Sequence, residues 1–294
     1  MSSLAKTVIA TGASSGLGFE SVKQLLQQAQ PYSFILGARD TEKTRVAYDD
    51  LKFDTSKHSV SILPLDLVNL KSVQSFAKQA LSELGQRPLN YLFLVAGLAA
   101  GADQPGPHGS KWCESYVVNH LAQHYLTHQF AEVLSASQSR IVVVTSGIIR
   151  NVRGNDPSTL DVDLKANSGA SAKVVYSASK FAQLLGAHYW RRSLPDCKVV
   201  AVSPGLVPNT RLSERSGLVL TMDMPDAKTV PEGAQNILRA FTVDLPADPE
   251  DIFLTSWGEW WPKDVYALSL DPALQDKWCL SKEDIEKSEP VFQE

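Results

Sequence analysis

Short apolar runs recur along this chain, and a helical pattern follows nearly every one of them. Residues 7–10 form the first run; 33–38, 60–65, 91–95, 141–145 and 199–203 continue the series, with 252–255 as a candidate seventh. After the first run, Val22, Leu25, Leu26 and Ala29 give the i, i+3, i+4, i+7 stripe of a helix packed on a sheet. Leu70, Val73, Phe76, Ala77, Ala80, Leu81 and Leu84 keep one helical face for several turns, and 111–134 and 175–194 read as two longer helices. Uniformly apolar strands alternating with helices imply an α/β fold: a parallel sheet covered on both faces. With 294 residues, 44% of them hydrophobic, the chain can bury such a core without disulfides or metals.

Two stretches break the rhythm. Residues 148–173 form a polar loop rich in Asn, Asp, Ser and Gly, and 212–228 mix Met, Leu, Pro and charges. Long irregular segments of this kind serve as lids or binding loops, so both are expected to shape a substrate pocket. The net charge of −4 gives no reason to expect nucleic acid or an anionic membrane as partner. Cys113, Cys197 and Cys279 lie far apart without a C-x-x-C pair, which suits free thiols in a reducing compartment. No apolar stretch reaches membrane-spanning length, and no signal-peptide pattern precedes the first run, so a cytoplasmic protein is expected.

Directly after the first run stands Thr11-Gly12-Ala13-Ser14-Ser15-Gly16-Leu17-Gly18. A G-x-x-x-G-x-G turn that follows a strand and opens a helix reads as a dinucleotide cradle. Gly12 permits the tight turn, Gly16 lets main chain approach a pyrophosphate at the helix N-terminus, and Ser14 and Ser15 add hydroxyls. After the second run the chain reads Gly37-Ala38-Arg39-Asp40. An acid there would hold the ribose hydroxyls of NAD, whereas arginine suits the 2′-phosphate of NADP. Arg39 comes first, so NADP(H) is expected, with Asp40 pointing elsewhere. Asp66 and Leu67, after the third run, stand where an adenine amino group would be met; the alternative for Asp66 is a helix N-cap. Ala96 and Gly97 end the fourth run with the small residues that a wall beside the cofactor requires.

Tyr176 and Lys180 are spaced i, i+4 and share a helix face. A phenol is a poor acid at neutral pH, and a neighbouring ammonium stabilises the phenolate. The expected roles are Tyr176 as proton donor, Lys180 lowering its pKa and bonding the nicotinamide ribose, and Ser146 holding the substrate carbonyl. Asn119 would anchor a water relaying protons to Lys180.

Together with Val118-Asn119-His120, Val144-Thr145-Ser146 and Pro204-Gly205, these motifs run in order over about residues 4–212 and resemble the short-chain dehydrogenase/reductase family. The resemblance implies a single Rossmann-type doubly wound domain over 1–294 with a seven-stranded parallel sheet, insertions at 148–173 and 212–228, and a C-terminal extension over 256–294. It implies a Ser146–Tyr176–Lys180 triad with Asn119 as fourth member, and a Pro204, Gly205, Val207 loop beside the nicotinamide carboxamide, with Thr210 near its end. Residues 37–40, 203–210 and the insertion before Tyr176 are similar to the retinol dehydrogenase and light-dependent protochlorophyllide reductase branch, and the Trp-rich C-terminal segment to its fungal members. The expected reaction is NADPH-dependent reduction of a ketone or aldehyde on a medium-sized hydrophobic molecule, of the kind met in secondary metabolism. The alternatives are oxidation of a lipophilic alcohol and a non-catalytic NADP(H)-binding regulator. Relatives pair through helices corresponding to 111–134 and 176–194, so a homodimer is open unless the insertion blocks that face. Two departures stand out. The family's Asn-Asn-Ala-Gly is Leu94-Val95-Ala96-Gly97 here, and Asn209 displaces the threonine that closes the Pro-Gly motif.

Other features are assigned to packing. His120, His124 and His128 lie on one helix face without a carboxylate or thiolate motif, so no metal is expected. Trp257, Trp260 and Trp261 either line the pocket or pack the C-terminal tail. Arg191 and Arg192 suit a helix C-terminus, and 282–294 reads as a solvated helix with a loose tail.

Overall fold

A computed structural model describes residues 4–152, 156–208, 210, 212 and 219–293. Seven parallel strands form one sheet in the order β3-β2-β1-β4-β5-β6-β7. They are β1 (Lys6–Thr11), β2 (Tyr32–Ala38), β3 (Ser59–Pro64), β4 (Tyr91–Leu94), β5 (Arg140–Val144), β6 (Lys198–Val202) and β7 (Phe253–Leu254). All seven apolar runs are strands, within a residue or two of the expected bounds, and this is the seven-stranded doubly wound sheet expected. Central β1 lies between β2 and β4, with Val8 opposite both Phe34 and Tyr91. The order of the strands reverses between β1 and β4, so their C-terminal ends open a crevice there, the usual ligand position in open α/β sheets.

Helices cover both faces. On one lie α1 (Gly16–Leu26), α2 (Thr41–Asp49) and α6 (Val230–Arg239), sealing a core of Val8, Phe34, Phe93, Val142, Val200 and Ile237. On the other lie α3 (Leu70–Leu84), the long helix α4 and α5 (Ala172–Ser193), packed on Ile9, Leu92, Ile141 and Val199. Helix α4 begins at Glu114–Tyr116, widens into a π turn over Val117–Leu121 and continues as Ala122–Ala136. It starts three residues later than its apolar pattern suggested, because Cys113 holds extended backbone at its N-cap. Helix α1 ends at Leu26, so Ala29 lies beyond the stripe assigned to it and is exposed.

The insertion is less open than its polarity suggested. It holds a short helical turn, Leu160–Asp163, and both Leu160 and Leu164 are fully buried. The larger correction concerns the C-terminus. Helices α7 (Pro272–Trp278) and α8 (Lys282–Ser288) dock on α4 and α5, and Ile285 and Val291 are buried. Tyr125 donates to Glu286 at 2.6 Å, and ion pairs join Lys277 to Asp161 and Arg192 to Asp276. The expected loose tail is therefore part of the core. The extension covers part of α4 and α5. Among the described residues no helix is long and apolar enough to cross a membrane.

Candidate active site

A cavity of about 1060 Å³ opens at the C-terminal ends of the strands. The turn after β1 forms its floor. Gly12 sits at φ +66°, where a Cβ would stand 2.5 Å from Ala96 Cα, so only glycine lets the turn lie against the end of β4. Gly16 also has positive φ, at +56°, and a Cβ there would meet nothing within 4 Å. Its missing side chain leaves the first turn of α1 open to the cavity. Ser15, the N-cap residue, makes no side-chain capping bond, so the helix presents free N–H groups and the positive end of its dipole to the cavity. Ser14, Ser15, Leu17 and Gly18 line the same floor.

At the end of β2, Asp40 caps α2 by accepting from Lys43 N at 2.9 Å. Its carboxylate is thus turned away, as expected. Arg39 lines the cavity and makes no ion pair with any described residue. Asp66 also lines it, beside Leu67. The cap of α3 is Asn69, whose side chain accepts from Lys71 N and Ser72 N, so the capping alternative for Asp66 falls away. An open helix N-terminus, an arginine without an ion pair among the described residues and an acid along one wall fit an adenine dinucleotide.

The wall after β4 is held by a network invisible in the motif. Thr11 Oγ1 donates to Gln123 Oε1 at 3.1 Å and accepts from Ala96 N at 3.3 Å, and Gln123 Nε2 donates to Ala96 O at 3.1 Å. These contacts fix Ala96 at the end of β4. Gln123 also reaches Asn119 O at 3.0 Å inside the π turn.

Four groups meet at the centre. Ser146, just past β5, stands beside the Tyr176 hydroxyl, and its Oγ accepts from Ile148 N at 3.2 Å. Burial pushes the Tyr176 phenol up, while the Ser146 hydroxyl pulls it down by a smaller amount. Lys180 Nζ lies 5.8 Å from the Tyr176 ring centroid. It donates to Val144 O and to Gln183 Oε1, both at 2.9 Å. Burial without a counter-ion lowers its pKa to about 7. Lys180 is not among the groups that lower the phenol here. Burial raises the phenol and weakens the ammonium. Gln183 is a partner the sequence reading missed, although at i+7 from Tyr176 and i+3 from Lys180 it shares their helix face.

Asn119 lies in the π turn of α4, beside this centre. Its Oδ1 accepts from Leu98 N at 2.7 Å, and its Nδ2 donates to Leu98 O and Ser179 Oγ. The side chain holds the loop after β4.

The remaining wall is the Pro-Gly loop. Gly205 has φ +94°, and Asn236 Nδ2 donates to Pro204 O at 3.2 Å. Val207 lines the cavity, and Thr210, also lining it, donates to Val207 O at 3.4 Å. Asn209 and part of the 212–228 segment lie outside the described residues. Trp257 and Trp261 complete the rim, whereas half-buried Trp260 packs against the core on the side of α1 and α6. The histidine row turns away from the cavity: His120 Nε2 meets Trp278 O at 2.8 Å, and His124 and His128 meet Leu280 O.

A parallel sheet with this crevice, cradle and Ser–Tyr–Lys cluster defines a nucleotide-dependent oxidoreductase fold. Residues 6–155 match the family model described as short chain dehydrogenase, and the chain belongs to the short-chain dehydrogenase/reductase family. It is 60% identical over 286 residues to a short-chain dehydrogenase/reductase of Pestalotiopsis microspora, covering 96% of this chain and 98% of that one. Human retinol dehydrogenase 12 is 30% identical over 239 residues, 79% of this chain and 72% of that one. In fold it resembles NADPH-bound carbonyl reductase from chicken fatty liver, with a TM-score of 0.63 at 20% identity over 87% of this chain and 98% of that one. An alcohol dehydrogenase of Thermococcus sibiricus, complexed with 5-hydroxy-NADP, is equally similar at a TM-score of 0.63 and 20% identity, over 86% and 96% of the two chains.

Proposed function

We propose that the chain is one NAD(P)-binding domain that uses NADPH to reduce a ketone or aldehyde on a medium-sized hydrophobic small molecule. The observation that carries this reading is the Ser146–Tyr176 hydroxyl pair, set over buried Lys180 in the same cavity as the open N-terminus of α1. NADPH, when bound, supplies the hydride. The cradle of Gly12–Gly18 would hold its pyrophosphate, and Arg39 its 2′-phosphate, because a planar guanidinium matches phosphate geometry.

The chain's own groups handle the oxygen. Ser146 positions the carbonyl oxygen by donating to it. Tyr176, kept protonated by its burial, gives up its proton as negative charge develops on that oxygen. Ser146 and a charged Lys180 stabilise the phenolate that results. Asn119, through Leu98, and Gln123, through Ala96, hold the facing wall rigid.

The same groups serve the reverse reaction, with Tyr176 as base, and the 30% identity to a protein named retinol dehydrogenase favours a lipophilic alcohol for that direction. The test is NADPH oxidation, with NADH in parallel, against aldehydes, aromatic ketones, steroid ketones and quinones. Turnover with NADPH, abolished by Tyr176→Phe, supports the reading. Turnover that survives Tyr176→Phe overturns it.

A further inference from the structure

Beyond Ser146 the cavity wall is aromatic and cationic. Trp261 stacks on buried Phe253 of β7, with ring centroids 5.7 Å apart and planes 25° apart. Trp257 leans on Trp261 at 5.7 Å and is 51% exposed at the rim. The Arg150 guanidinium lies 5.0 Å above the Trp261 ring, and its Nε donates to Gly147 O at 2.9 Å. Gly147 follows Ser146 directly. A Cβ there would stand 3.5 Å from Trp261 Cζ2 and 3.6 Å from Arg150 Nη2, so the platform begins one residue from the serine hydroxyl. Arg150 forms no ion pair with any described residue. The acidic groups on this part of the lining are Asp226, engaged by Ser256 and Lys228, and Glu114 at the start of α4.

We infer that the substrate is a planar aromatic carbonyl compound bearing an anionic group, a carboxylate or acidic phenolate, received by Arg150 while its ring lies against Trp257, which Trp261 supports. The carbonyl part of this inference rests on the reductase reading; the preference for a flat anion does not. A guanidinium fixed through Nε keeps its Nη atoms for a second acceptor, and a fork held in place loses little entropy on binding an anion. The tryptophans supply flat apolar area anchored to the core through Phe253. Nothing in the sequence placed Arg150 beside Trp261, 111 positions away.

The probes are 9-oxofluorene-2-carboxylate and its methyl ester, titrated calorimetrically against the protein saturated with NADP⁺. The acid should bind about 10-fold more tightly than the ester, and the difference should shrink as salt is raised. Arg150→Gln should abolish the difference and leave the ester unaffected, Arg150→Lys should retain part of it, and Trp261→Leu should weaken both probes. Equal binding of the two, tighter binding of the ester, binding of neither, or a preference that survives Arg150→Gln overturns the inference. Salt dependence in the unmodified protein decides the matter even if a variant fails to fold. Turnover is read separately: a retained acid preference without reduction of either probe overturns the reductase reading alone.

Discussion

At the cofactor end of the cavity the wall is mostly main chain; at the substrate end it is mostly side chain. The first is made by Gly12, Gly16, Ala96 and Gly97, whose small size or positive φ brings backbone to the surface at the ends of β1 and β4. The second is made by Arg150, Trp257 and Trp261, carried by segments after β5 and β7 that the sheet brings together. Backbone geometry leaves a local mark in sequence, because few residues other than glycine tolerate it. A side-chain platform assembled across a hundred residues leaves none. That contrast predicts which substitutions abolish function and which redirect it.

The largest effect belongs where the two ends meet. Tyr176→Phe should lower turnover by about 10²- to 10⁴-fold, the usual contribution of a positioned acid, while NADPH affinity stays nearly unchanged by fluorescence titration. An equal loss of cofactor binding would mean that Tyr176 belongs to the cradle instead.

Next comes the backbone end. Gly12→Val forces a Cβ to 2.5 Å from Ala96 Cα at a φ of +66°, and strained, overpacked positions of this kind cost about 2–4 kcal/mol. Thermal denaturation should show the lower stability, and NADPH binding should be lost with it. By contrast, Trp257→Ala at the exposed rim should leave both untouched and alter only the ranking of substrates. Wild-type cofactor binding in Gly12→Val would break the contrast between the two ends.

A smaller change tests Arg39. Arg39→Ala should reduce the preference for NADPH over NADH by about 10-fold or more through loss of a charge-assisted contact, read from the ratio of kcat/KM values. An unchanged ratio removes Arg39 from the phosphate site.

Lys180 gives a pH signature. Burial holds its pKa near 7, below the ordinary lysine value. Between about 7 and that ordinary value the unfolded chain carries a proton that the folded, ligand-free protein lacks. Stability should therefore rise with pH across this window, from its full penalty below pH 7. An anionic dinucleotide bound nearby favours the ammonium, so NADP⁺ binding at pH 8 should take up protons, measured by calorimetry in buffers of different ionisation enthalpy. Lys180→Met should abolish the uptake; uptake that persists in the variant assigns it to another group.

The sheet was legible because buried parallel strands are nearly continuous apolar runs, and all seven were found within a residue or two. The C-terminal docking was not. Residues 282–288 carry one buried apolar residue, Ile285, amid charges; Tyr125 bonds Glu286, and His120, His124 and His128 hold the preceding Trp278 and Leu280 carbonyls, all polar residues on a distant helix. Asn119 was half legible: its position follows from its motif, but its partners are set by the π turn in α4, which has no sequence signal. Gln183 was missed, because its role follows from the burial of Lys180.

The histidine row carries the smallest expected effect, at the seam between the cavity helices and the extension. Burial lowers the pKa of His120 to about 4 and holds His124 and His128 below the ordinary value, the neighbouring rings adding to the effect at His124. At His128, Glu283 favours the charged ring and Lys282 opposes it. Folded, the rings stay neutral and bond Trp278 O and Leu280 O; unfolded, they take up protons below the ordinary histidine value. Stability is thus lost as pH falls from about 6.5 towards 4. The loss should be felt first where the extension meets α4, before the sheet opens. Hydrogen exchange at pH 5 should show faster opening of residues 267–293 than at pH 7, with the strands still protected, and His124→Gln should flatten that dependence. Equal acceleration in the sheet and the extension would mean that the docked C-terminus and the sheet unfold as one unit, and that the seam has no separate stability of its own.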